Sequence, residues 1–225
     1  MDFTKQKEDE VANTAPLSDS AQADSDSVDA SRRRFSRSGL AVSGVLLTLA
    51  SRAALGGGLV CNSPSGFISG NLSQHGEPKS CGGRTPGYWG TNTDNKHQWP
   101  LPYKTGTCTN TQKSQDHQSW STTGATMFKD SSLGFNCTGN GAKYNNYSMM
   151  QVILLGGSAD PYQLGAHCVS ALLNARQGWT LGVLTETQVR DMFNEYASKG
   201  YFEPTSGVKW YPADIVTYLK STMPL

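Results

Sequence analysis

The sequence predicts an α+β or mainly-α domain, with a loop-rich, disulfide-stabilised N-terminal half packed on a small C-terminal bundle of about four short helices. Three observations lead there. Residues 57–147 are dominated by Gly, Ser, Thr, Asn and Pro and hold no sustained period of two or 3.6 residues, a composition that gives turns and short strands. From Ser148 onward, helix start and stop signals follow one another to the end of the chain. All five cysteines, Cys61, Cys81, Cys108, Cys137 and Cys168, lie beyond residue 60.

The elements follow in chain order. Residues 1–30 carry eight acidic side chains against two lysines and almost no large apolar groups, so they cannot bury enough surface to fold and read as a disordered acidic leader. Residues 31–56 hold five arginines and no acid. A cationic patch, the apolar segment Gly39 to Ala50 and then small residues is the layout of an export signal, too short to span a bilayer comfortably. Cleavage is placed after Ala53, with Gly56 as the second choice. The patch resembles the twin-arginine signal consensus, with Ser31, Arg32, Arg33, Phe35 and the basic Arg37 matching and Ser36 departing from the usual Leu. That resemblance implies the export machinery as a partner; a Sec signal with a rich basic region is the alternative.

The mature part, 57–225, carries twelve basic and ten acidic residues with no Lys/Arg cluster, which argues against nucleic acid or an anionic membrane as partner. About 170 residues are enough for one domain with a core. No stable membrane span is expected in it. In an oxidising compartment a loop-rich chain uses disulfides to compensate for a thin core, so four cysteines are read as two bridges. Five cysteines allow fifteen such arrangements. Nearest-neighbour pairing joins Cys61 to Cys81 and Cys108 to Cys137 and leaves Cys168 a buried thiol.

In the helical half, Ser148 to Leu155 is apolar nearly all round and is stopped by Gly156-Gly157. The second helix takes Asp160 as N-cap and Pro161 as first residue, ends before Gly178, and carries Leu164, Cys168, Ala171, Leu172 and Ala175 on one face. Thr185 and Gln188 form a capping box for a third helix that buries Val189, Met192, Phe193 and Tyr196 and stops at Gly200. A fourth begins at Pro212 and buries Ile215, Val216 and Leu219.

Thr85-Pro86-Gly87 reads as a type II turn, with Gly87 at positive φ, that presents Tyr88 and Trp89 in a fixed direction. With Trp99, Tyr103 and Trp120 these rings form either an aromatic platform for a sugar or a partner protein, or the core of a half with few other large apolar groups. Thr85-Pro86-Gly87-Tyr88-Trp89, then Trp99-Pro100, and the Ala/Leu-rich stretch Leu164 to Ala175 ending in Leu173-Asn174-Ala175 together resemble motifs of exported bacterial surface proteins of unsettled function. The Lys-Asn-His that follows the Trp in those proteins is replaced here by Gly90-Thr91-Asn92. The resemblance implies an exported, cell-surface or secreted protein with no stated chemistry.

No G-x-S-x-G, H-E-x-x-H, C-x-x-C or P-loop pattern occurs. Asp94 with His97 and Asp116 with His117 are weak candidates for a Zn²⁺ site if the fold joins the two segments; the bland alternative is solvated loop. His75 and Glu77 read as turn residues. His167 and Cys168 are neighbours on a helix, about 100° apart, which is unsuited to a thiol–imidazole pair. No cofactor ligand set is present in the sequence. Two function classes follow. The first is a non-enzymatic structural or binding role at the cell surface or in the medium, with a polysaccharide or surface-protein partner. The second is a small exported hydrolase of envelope or extracellular polysaccharide, using Asp94, Asp116 or Glu77 as acids.

Overall fold

The computed structural model describes residues 61–69, 80–91, 98–180 and 182–224, all within one compact unit, Ser51–Leu225. The leader, the twin-arginine segment, both cleavage positions, His75, Glu77, Asp94 and His97 lie outside the described residues.

Among the described residues, six helices and one hairpin are set among loops: α1 (Pro64–Ile68), α2 (Pro86–Gly90), α3 (Met149–Ile153), α4 (Leu164–Arg176), α5 (Glu186–Lys199), β1 (Phe202–Thr205), β2 (Val208–Trp210) and α6 (Pro212–Ser221). The architecture is therefore helical with a small two-stranded antiparallel sheet. Among the described residues no helix is long and apolar enough to cross a membrane.

Helix α4 packs on α3, α5 and α6. Every residue from Leu164 to Asn174 is buried, rather than the single stripe of five, because neighbours cover the helix on all sides. It also starts later than its Pro161 signal suggests. Tyr162 (φ 65°) and Gln163 (φ 57°) are both left-handed, which separates a short 3₁₀ turn, Pro161–Gln163, from the helix. Asp160 still serves the helix end: its Oδ2 accepts from the Ala166 amide at 3.2 Å, and its Oδ1 accepts the Tyr144 hydroxyl at 2.6 Å.

The other starts follow the local chemistry. Ser148 and Gln151 make a capping box at α3, and Thr185 and Gln188 make one at α5, which ends on Gly200 in the left-handed conformation. Pro212 is the first residue of α6, and Asp214 accepts from the Tyr211 amide at 3.0 Å. The hairpin between α5 and α6 is absent from the sequence reading. Its signal is modest: Phe202 to Thr205 and Val208 to Trp210 are short runs around Ser206-Gly207, and Gly207 turns at φ 81°.

Two expectations for the N-terminal half change. Thr85-Pro86-Gly87 is not a type II turn: Pro86 opens helix α2 and Gly87 keeps a negative φ, since Pro at the first helical position is as well suited to a helix start. In place of short strands, this half shows isolated bridges, Cys108 with Trp120, Met127 with Ser148 and Lys129 with Phe135. Its large rings supply the packing. Phe128, Phe135, Tyr144 and Phe193 of α5 interlock with centroids 4.6–5.7 Å apart.

Of the two bridges expected, one is formed, Cys61–Cys81. Cys108 and Cys137 are free thiols instead. The packing accounts for this: Cys137 is sunk in the main core with Sγ 3.8 Å from the Phe135 carbonyl, while Cys108 sits at the half-buried edge paired with Trp120. Burial pushes the Cys137 thiol up to about 11, so it is a poor partner for exchange. Cys168 is buried and free, as expected. The bridge belongs to a small cluster with Val183, apart from the main core. Intact mass before and after reduction is expected to differ by about two units, the two hydrogens of one disulfide; a difference of four would require a second bridge.

Candidate functional site

The segment 85–89, Trp99 and α4 meet at one place, and Asn174 of α4 joins them. Its Oδ1 accepts from the Arg84 amide at 2.9 Å and from Trp89 Nε1 at 3.1 Å, and its Nδ2 donates to the Arg84 carbonyl at 2.9 Å. Trp99 Nε1 donates in turn to the Trp89 carbonyl at 3.2 Å. Asn174 itself is fully buried, and a buried amide depends on such partners. Gly83 lies so close to Asn174 and to the Thr222 carbonyl that a Cβ there would collide with both. A lone amide in the apolar run Leu172-Leu173-Asn174-Ala175 was the signal available in the sequence, since a buried amide needs partners.

The proposed aromatic platform divides on burial. Trp89 (1 % exposed), Tyr103 (2 %), Trp120 (5 %) and Trp99 (7 %) are core residues, the second of the two alternatives for these binding candidates. Large rings are the main apolar material in this half and are consumed by its core. Tyr88 alone among the five stays half-buried. It stands edge-on to Trp89 (5.1 Å, 90°) and to the half-buried Trp179 (6.0 Å, 72°), and Trp179 stacks on Trp89 at 5.4 Å. Arg84 lies over both half-buried rings, its Cζ 5.4 Å from the Tyr88 centroid and 5.8 Å from that of Trp179.

Asp116 and His117 do not gather further ligands: among the described residues no group of three or more His, Cys, Asp or Glu is placed to hold a metal ion. Asp116 caps a short 3₁₀ turn through the Gln118 amide (3.0 Å), with His117 Nδ1 3.5 Å away and its ring edge-on to Tyr147. Other carboxylates are similarly engaged. Asp130 accepts from the Ser132 and Leu133 amides, bonds that hold it below the usual carboxylate range. Glu195 pairs with Lys199, and Glu203 accepts from the Gly207 amide. Glu186 centres a half-exposed network: the Tyr103 hydroxyl donates to it at 2.5 Å, Arg176 and Arg190 lie 3.4 and 3.6 Å away, and Arg176 also donates to the Leu101 carbonyl. Burial, with Glu186 beside it, pushes the Tyr103 phenol well up. This network clamps α5 and α4 to the loop after Trp99.

His167 is buried, with Nδ1 2.8 Å from the Gln163 carbonyl, where it braces the left-handed step before α4. Burial pulls the imidazole below its ordinary value; Lys220 adds to the shift, and the Gln163 carbonyl and Asp160 oppose it. Cys168 is enclosed and its thiol is pushed well up by burial, which leaves no thiolate for a nucleophile. The unfolded chain therefore binds a proton at this histidine more readily than the native one, and stability is lost as pH falls through the unfolded value near 6.5. The urea midpoint is expected to fall between about pH 7.5 and about pH 5.5, with a shallower fall in His167→Gln.

Compared with protein-family models, with curated proteins and with solved structures, the chain matches none.

Proposed function

We propose that this chain is an exported protein with a non-enzymatic binding or structural role at the cell surface or in the medium. One observation carries the reading: Asp116, Asp130, Asp160, Asp214, Glu186, Glu195 and Glu203, among the described residues, are engaged in caps, turns and ion pairs. Asp116, Asp130, Asp160 and Asp214 hold backbone amides at turns and helix starts, and Glu186 and Glu195 hold arginine and lysine. A hydrolase of the glycosidase kind needs two carboxyls facing one bond across a cleft. Asp160, the most buried of those present, points its oxygens at Tyr144 and Ala166.

Export is supported by the arginine-rich segment and by the Cys61–Cys81 bridge, which fits an oxidising compartment. Twin-arginine export carries folded proteins, and a single bridge outside the main core leaves that core free to assemble while the cysteines are reduced. In the producing cells, Arg32→Lys with Arg33→Lys is expected to leave full-length precursor in the cytoplasm, followed by immunoblot of the fractions. Normal processing of that variant would assign the signal to the Sec route; an unprocessed wild-type chain retained in the cytoplasm would overturn export itself.

A further inference from the structure

The Cys61–Cys81 bridge joins two unlike partners. Cys81 stands beside a fixed post: the Gly82 amide donates to the Trp179 carbonyl at 3.0 Å, Gly83 lies against the Thr222 carbonyl and Asn174, and Asn174 holds the Arg84 amide and carbonyl at 2.9 Å each. Cys61 heads a light strap, residues 61–69, whose helix α1 has five residues. A helix that short does not hold its shape in water without a surface to lean on. The strap leans on the hairpin and α6. Phe67 meets Trp210 edge-on at 5.8 Å and Tyr218 at 5.4 Å, α1 packs on β1, and the Tyr218 hydroxyl donates to the Asn62 carbonyl at 3.1 Å. Phe67 and Ile68 are half-buried there, and within α1 only Pro64 is fully covered. The two sulfurs sit with Val183 in a cluster separate from the main core.

We infer that the Cys61–Cys81 bridge is a redox-controlled latch: closed, it docks the strap 61–69 on the hairpin and α6; open, it releases the strap while the rest of the domain keeps its fold. A bridge stabilises by removing freedom from the open chain, and the freedom removed here is that of the strap, because the opposite sulfur is already held by its neighbours. Opening confined to one segment follows from such uneven packing. On closing, the two thiols lose two protons and two electrons and form one S–S bond; the electrons pass to a disulfide of the oxidising compartment, which is reduced to two thiols. Cys137 and Cys168 do not compete for Cys61, since both are buried in the main core. The timing of closure rests on the export reading above. The cleavage positions Ala53 and Gly56 stand just ahead of Cys61, so the strap is the part of the domain next to the signal, and it docks once the chain has left the reducing cytoplasm.

The test is hydrogen exchange read by mass spectrometry on the full mature chain purified from the producing cells, untreated and after reduction with a phosphine. Reduction is expected to speed exchange of the peptide covering 61–69 about tenfold or more, while the peptides of α4 and α5 keep their protection. Oxidised glutathione, the disulfide probe, is expected to restore the slow exchange. Cys61→Ser is expected to reproduce the reduced state, and reduction of the folded wild type gives the same reading if that variant does not fold. Unchanged exchange at 61–69 after reduction would show that the strap docks without the bridge, and loss of protection across α4 and α5 would show that the bridge holds the whole domain; either result overturns the latch. For the timing, the cytoplasmic precursor of the Arg32→Lys, Arg33→Lys variant is alkylated at harvest. Modified Cys61 and Cys81 are expected, and a bridge already closed there would overturn docking after export. The exchange result is read on the purified protein, so failure of export, seen as unprocessed wild-type chain in the cytoplasm, is distinguished from failure of the latch.

Discussion

Trp89→Ala is expected to lower the unfolding free energy by about 4 kcal/mol, the cost of emptying a fully buried indole site. That is a large share of the 5–15 kcal/mol typical of a domain. Trp89 is enclosed, stacks on Trp179, and meets Tyr88 edge-on. Its indole N–H reaches Asn174, so the substitution also removes one partner of a buried amide. Urea denaturation read by circular dichroism measures the loss. A change below about 1 kcal/mol would mean that the indole is solvated, and would return Trp89 to the list of ligand-binding rings.

Asn174→Ala is the second large effect, expected at about 3 kcal/mol. The cost does not come from lost volume. It comes from the part-buried Arg84 amide and carbonyl and from the buried Trp89 N–H, which all lose their partner. Asn174→Asp is not expected to rescue it: the second oxygen would face the Arg84 carbonyl, where a donor is needed, and would bury a charge. The two substitutions share one hydrogen bond, so the double variant is expected to be less destabilised than the two effects added, by about 1 kcal/mol. Strict additivity would show that the Trp89–Asn174 bond is not formed in solution.

These effects give three separated stretches of sequence a shared physical role. Thr85 to Trp89, Trp99-Pro100 and Leu173 to Ala175 lie far apart in sequence, yet two side-chain hydrogen bonds and one close approach at Gly83 bring them together. A motif of this kind holds the fold.

What the sequence by itself determined is mostly local. The capping boxes at Ser148 and Thr185, Pro212 at the head of α6 and Gly200 at the end of α5 all stand where their short-range chemistry places them. Such signals depend on backbone groups within a turn of the residue concerned, so no tertiary contact is needed to read them. The tertiary structure alone decided the rest. It delayed α4 to Leu164, because Asp160 is held by Tyr144 and by the Ala166 amide. It left Cys108 and Cys137 unpaired, because one was drawn into the core and the other remained at its edge. It turned four of five candidate binding rings into core, because a half poor in aliphatic residues has only rings with which to exclude water, and which face of a ring meets solvent is set by neighbours distant in sequence.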